Sequence, residues 1–235
     1  MTRKRPDDRI QRLVEIATEV FIASNGYQRT QMSEVARQLG VAKGSLYLYV
    51  ESKEALFDLC VRYADNLDAV AGERVSLPYK SAGGEETLCY VQVRLAQDPA
   101  FQEMIGLLLA EESLEPARDL EHLVRILYGA LGRNRKSIKL VEAAASDHPS
   151  LSKIWYPNAR GQLLEVLLPF VERHLLAGAF RPLASAPIAA RHLIETCTFW
   201  AIHRHWDLAP QSIDEDKLED ALVELVIRVF LNDAS

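Results

Sequence analysis

No pair of cysteines in this 235-residue sequence is spaced for a metal knuckle or a CxxC redox pair; the three present, Cys60, Cys89 and Cys197, are scattered and odd in number. Neither a disulfide frame nor a zinc site is suggested. Long apolar runs are missing as well. The longest, Met104 to Ala110, falls far short of the roughly 20 residues that span a bilayer. The basic cluster Arg3-Lys4-Arg5 is followed by Asp7, Asp8, Glu15 and Glu19 rather than by an apolar stretch, so it does not read as a secretory signal. These absences point to a reduced, cytoplasmic protein with no membrane partner. There is no nucleophile elbow, phosphate loop or metal-ligand spacing. His203 and His205 are two residues apart and so point to different faces of a helix. No catalytic residue, metal or cofactor is assigned.

What is present is a chain that is 49 % hydrophobic, enough for a substantial core, with a net charge of −6. That average conceals a split. Residues 1–53 hold nine Lys and Arg (Arg3, Lys4, Arg5, Arg9, Arg12, Arg29, Arg37, Lys43, Lys53) against six Asp and Glu, whereas the remaining residues hold 18 against 27. A basic head on an acidic body suits a phosphate-binding module joined to a separate domain.

The apolar periodicity is helical nearly throughout, and no strand-like alternation is bounded by turn pairs, so the expected fold is all-α. Ile10, Leu13, Val14, Ala17, Val20 and Phe21 form one stripe, stopped by Asn25-Gly26. Thr30 reads as the N-cap of a short helix carrying Met32, Val35, Ala36 and Leu39, ended by Gly40. A tight turn leads into a third helix, Ala42 to Val50, and Ser52 caps a fourth that runs to about Ala71. Turn formers cluster at Ser76–Gly84. Pro157 and Pro169 fall inside helical patterns and should kink or end them.

Thr30 to Val50 therefore reads as two short helices about a glycine turn. That is the arrangement of a helix-turn-helix, whose second helix enters the DNA major groove. Ala36 is small where the helices cross, and Val41 and Leu46 fill the angle between them. Lys43, Ser45 and the tyrosine hydroxyls are left to bond base edges or phosphates. Tyr47 and Tyr49 have a plainer alternative as core filling, although Leu46 already takes the inward position.

Residues 9–64 resemble the DNA-binding domain of the TetR family of repressors, above all in Gly40-Val-Ala-Lys-Gly-Ser-Leu-Tyr-Leu-Tyr-Val-Glu-Ser-Lys-Glu-Ala-Leu56. The resemblance implies base or adjacent-phosphate contacts from Lys43, Gly44, Ser45 and Tyr47. It implies backbone contacts from Leu48, Tyr49 and Lys53, with Thr30 and Ser33 at the phosphate-facing end of the preceding helix. Val50 stands where an aromatic is more usual and Ala42 where Ser or Thr is common. It further implies a homodimer on a palindromic operator, released by a small-molecule inducer. The domains are then 1–53 for DNA binding, with the connecting helix as a lever, and 54–235 for ligand binding and dimerisation.

The body is read on its own residues. Leu218, Leu222, Leu225, Val226 and Val229 lie on one broad stripe of a last helix, Glu215 to Leu231, broad enough to want a second subunit as well as its own core. On the preceding helix, Ile188 to Trp206, the residues His192, Thr196, Phe199, Trp200 and His203 form a polar-aromatic stripe of the kind that lines ligand pockets. Trp155 and Tyr156 are further pocket candidates. Ordinary core or interface packing is the competing explanation for that stripe. A helical enzyme using these histidines with Glu195 or Cys197, or a helical adaptor without DNA, is the alternative function. The adaptor leaves the basic head unexplained, and the enzyme has no recognisable motif.

Overall fold

The computed structural model describes residues 6–73, 75–81, 83–109, 115–148, 151, 155, 161–182, 185–209 and 212–232. Among them the chain is helical, and β pairing is limited to two single-residue bridges, Val50 with Tyr79 and Phe180 with Leu231. None of these helices is long and apolar enough to cross a membrane. The chain forms two compact units, one of residues 1–94 with 134–157 and one of 95–133 with 158–235.

The first unit begins with α1 (Pro6–Ala23), α2 (Met32–Leu39), α3 (Lys43–Leu46), α4 (Lys53–Tyr63) and α5 (Leu67–Gly72). The α1 stripe read from the sequence is its core face, with Leu13, Val14, Ala17, Val20 and Phe21 buried against Leu56, Leu59 and Cys60 of α4. Gly40 ends α2 in the left-handed region at φ 74°, and the N–H of Val41 reaches Ala36 O at 3.0 Å. Ser52 caps α4, its hydroxyl accepting the Ala55 N–H at 3.0 Å.

Three local readings are corrected. The residue preceding α2 in capping position is Gln31, because Thr30 is buried and its hydroxyl donates to Gly26 O at 2.9 Å. The third helix is shorter than Ala42–Val50; it stops at Leu46, and Val50 turns away to pair with Tyr79. The fourth helix does not run to Ala71 but breaks between Tyr63 and Leu67. At that break the Asp65 carboxylate accepts the Lys136 and Ser137 N–H groups at 2.8 and 3.1 Å, together with the Ser137 hydroxyl.

Those last bonds belong to α9 (Arg135–Ala145), distant in sequence yet part of the first unit and packed on α1 and α4. Asp65 satisfies N–H groups in its first turn, which have no partner within the helix. Past its other end Asp147 accepts the Tyr27 and Gln28 N–H groups at 2.7 and 2.8 Å. Gly26 leaves the room for this, since a Cβ there would lie 2.4 Å from Asp147 Oδ2. His148 then packs on the rings of Tyr27 and Phe57, and burial pushes its imidazole below the ordinary value.

The second unit contains α7 (Pro99–Leu109), α8 (Pro116–Arg133), α10 (Gln162–Leu176), α11 (Ala186–Ala201) and α12 (Glu215–Phe230). The helix α6 (Gly84–Gln97) precedes α7 in the chain. Leu120, Leu123 and Leu127 of α8 share a core with Phe170, Leu193, Cys197, Leu222 and Phe230. Pro169 sits inside α10 without ending it, and Pro157 lies outside the described residues. Gly178 takes the left-handed conformation at φ 72° just past α10. The chain then pairs with the end of α12, Arg181 N–H reaching Phe230 O at 2.7 Å.

The clasp of Gly26 with Asp147 gives a stability test. Gly26→Ala drives a methyl into the carboxylate, a loss of about 1–3 kcal/mol for overpacking. Asp147→Ala strands two backbone N–H groups, also about 1–3 kcal/mol. In thermal melts each single variant should unfold several degrees early, and the double variant should lose less than the two losses together, because removing the carboxylate removes the clash. Additive losses would show that the two residues do not meet.

Candidate nucleic-acid interface

The frame around α3 comes from local sequence. Leu46 and Val50 are fully buried, Ala36 is buried where α2 crosses, and α1 and α4 supply the floor. With Leu46 and Val50 inward, the other residues of the segment are exposed or half-buried. Lys43 and Gly44 are exposed, Tyr47 is 43 % and Leu48 69 % exposed, and Ser45 and Tyr49 are half-buried. Core filling is thereby ruled out for Tyr47. Val41 does not fill the inter-helix angle as expected; it is exposed, and its backbone rather than its side chain closes the turn. Among the described residues Lys43 has no ion-pair partner, while Arg37 on α2 is tied to Glu34 through its Nε at 2.9 Å. Hydrogen bonds from Arg37, then from Gln38, hold the Glu34 carboxyl down at about 2. Of the basic residues on α2 and α3, Lys43 is therefore the one without an acidic partner among the described residues.

Two residues expected at the interface are used inside the unit. Thr30 is buried. Lys53 donates its ammonium to Tyr27 O, Gln28 O and Thr30 O at 2.9, 3.4 and 3.2 Å and lies 4.5 Å from the Tyr27 ring centre. An ammonium has three donors, and this one has three carbonyls. Ser33 is exposed, its hydroxyl 3.4 Å from Gln31 Oε1.

The pocket stripe is dispersed. His192 and Phe199 are exposed on α11, the His192 ring lying 6.3 Å from that of buried Phe230, whereas Thr196 and Trp200 are half-buried and Trp200 packs on the core. The helix ends at Ala201, so His203 opens a separate turn, His203–Trp206, and leaves the expected register. Trp155 is buried in the first unit, and Tyr156 lies outside the described residues. Sequence reading missed His174, buried in the second unit between Phe170 and Phe180, with Nδ1 on Phe170 O at 2.8 Å.

The stripe of α12 divides too. Leu218, Leu222 and Val226 are buried in the chain's own fold, leaving Leu225 and Val229 exposed at 58 % and 44 %. The phase of a broad apolar stripe is set by which neighbours cover it, and here α8 does. Ile188 and Phe199 are the exposed apolar residues of α11.

Comparison with known proteins agrees with this geometry. Residues 13–60 match the model of bacterial regulatory proteins of the tetR family. The fatty acid metabolism regulator protein of Bacillus subtilis (strain 168) is 46 % identical over 54 residues, which are 23 % of this chain and 26 % of that protein, so the match spans about a quarter of the relative's length. The ketosteroid transcriptional regulator KstR2 of Mycobacterium tuberculosis has the same fold over 96 % of both chains, with a TM-score of 0.58 and 15 % identity. A tetR-family regulatory protein from Rhodococcus RHA1 aligns over 96 % of this chain and 98 % of its own, with a TM-score of 0.51 and 18 % identity. The segment Leu13 to Cys60, about a fifth of the chain, is thus similar to the tetR family of bacterial regulatory proteins.

Proposed function

We propose that this protein is a homodimeric transcriptional repressor that binds a palindromic operator through residues 1–53 and is released by a small-molecule inducer. The observation that carries the reading is the exposed row Lys43, Gly44, Tyr47 and Leu48 on α3 and the turn that follows it, whose inner residue Leu46 is fully buried. Lys43 reaches guanine edges or phosphate, Gly44 lets the backbone approach, and Tyr47 with Ser45 bonds phosphate oxygens. Tyr49 and Ser33 stand at the margins of this surface. Thr30 and Lys53 act from behind it, by fixing the turn that aims α2. A protein working on the chromosome is cytoplasmic, and no catalytic step is assigned to it.

Dimerisation falls to Leu225 and Val229 of α12 with Ile188 and Phe199 of α11, the exposed large apolar side chains of these two helices. An apolar face of this kind, on a helix already packed on its other side, is what a second copy buries. The two reading helices would then meet half-sites roughly 34–36 Å apart or a multiple of it. The inducer belongs to the second unit, with Thr196, Trp200 and His203 as its first candidates. The match to the Bacillus subtilis regulator covers 54 residues, 23 % of this chain, and is silent on the inducer.

Lys43→Ala and Tyr47→Ala should each weaken binding to a selected operator duplex about 5–150-fold, the scale of ~1–3 kcal/mol per lost contact, with circular dichroism unchanged. Normal gel shifts for both variants would remove α3 as the reading element. For assembly, Leu225→Glu and Val229→Glu should give folded monomers in light scattering that bind DNA poorly. Leu222→Glu, by contrast, should cost the fold itself, because it places a charge in the core. A wild type that runs as a monomer at micromolar concentration would sink the dimer.

A further inference from the structure

The segment at residues 79–80 lies nearly 30 residues beyond the helix-turn-helix, yet it is bonded to the stretch by which the chain leaves α3. Tyr79 N–H donates to Tyr49 O at 2.7 Å, and Glu51 N–H donates to Tyr79 O at 2.9 Å, on either side of the parallel bridge between Val50 and Tyr79. The side chain of Tyr79 is pinned as well. Its hydroxyl donates to the Asp58 carboxylate of α4, which is buried and also receives the Thr87 hydroxyl at 2.6 Å and Arg62 Nε at 2.9 Å. Main chain and side chain thus hold residue 79 in place, and residue 80 is held beside Glu51.

Lys80 uses that position to set its ammonium 3.4 Å from the Glu51 carboxylate, with the two side chains 73 % and 56 % exposed. An exposed pair of this kind contributes little to stability, so the lysine is not there for the fold. With the reading helix in a major groove, the chain leaving it through Tyr49–Glu51 runs toward the phosphates that wall the groove. An acid at 51 would repel them. A lysine held beside it cancels that charge and, on a flexible four-carbon stem, can transfer its ammonium to a phosphate oxygen.

We propose that Lys80 is a phosphate-contacting residue of the operator complex, supplied from outside the helix-turn-helix by the Tyr79 pairing. This rests on the DNA-binding function proposed above. The contact is with duplex backbone, so it adds affinity and salt dependence without base preference. Each phosphate neutralised contributes about 0.9 to the slope of log K against log salt.

The test uses the full-length protein and a fluorescein-labelled duplex selected by that protein from a random pool, titrated by anisotropy at several salt concentrations. Lys80→Ala should lower the slope by about 0.9 per chain and weaken binding several-fold at low salt, leaving the preferred sequence unchanged, while Lys80→Arg keeps the slope. Lys80→Ala combined with Glu51→Gln is as neutral overall as the pair it replaces, and should keep the reduced slope. Recovery of the wild-type slope in that double variant would mean that Lys80 only masks Glu51, and would overturn the contact. So would a wild-type slope for Lys80→Ala in a protein whose DNA binding Lys43→Ala still weakens. If the wild type selects no duplex at all, the DNA-binding reading falls first and this one with it.

Discussion

The turn between α1 and α2 has its donors and its acceptors taken up by two side chains from opposite directions. The N–H groups of Tyr27 and Gln28 end on the Asp147 carboxylate, and the carbonyls of Tyr27, Gln28 and Thr30 end on the Lys53 ammonium. Between them the Tyr27 ring meets Phe57 at 5.5 Å and His148 at 4.6 Å in edge-to-face geometry. Burial, reinforced by Glu54 and Asp147, pushes the Tyr27 hydroxyl up to about 12, so it stays neutral there. A loop with no regular secondary structure is rigid here because both its polar edges are satisfied by charged groups. The aim of α2, and through the Gly40 turn that of α3, depends on it.

That arrangement assigns the basic residues of the head to two jobs. Lys53 and Arg37 are bound within the protein, one to carbonyls and one to Glu34. The net positive charge of residues 1–53 is thus less available than a count suggests, and Lys43 stands out as the cation presented on α3. Sequence charge gives the long-range attraction to a polyanion; the internal hydrogen bonds decide which cations are left to touch it.

Features governed by neighbours within a few residues were legible in the sequence: the α1 stripe, the Gly40 turn, the Ser52 cap and the inward Leu46. The carbonyl partners of Lys53 were not legible, because they lie on a turn whose closure depends on Asp147, 120 residues from Tyr27. The break in α4 was invisible for the same reason, since Asp65 turns aside to meet α9. On α12 the breadth of the apolar stripe was legible, but which part of it the chain's own core covers was not. A helical repeat orders residues around the axis without saying which of them a neighbouring helix covers, so Leu222 and Leu225 look alike until α8 is in place. The strand-like pairing of Tyr79 with Val50 left no periodic trace, being a single bridge within a stretch of turn formers.

The membership of α9 in the first unit also bears on how the protein is made. The head's own helices are complete within the first 72 residues, but two of the carboxylate clasps that fix them involve α9 and the residues just past it. During synthesis, α1 to α5 emerge first and can collapse through contacts close in sequence. Asp147 leaves the ribosome only after more than twice that length has been translated. At about 5–20 residues per second, the nascent head waits several seconds with the Tyr27–Thr30 turn held on one side alone. The turn that aims α3 is therefore completed only when α9 arrives, so the exposed row of Lys43, Gly44, Tyr47 and Leu48 takes its final orientation late in synthesis.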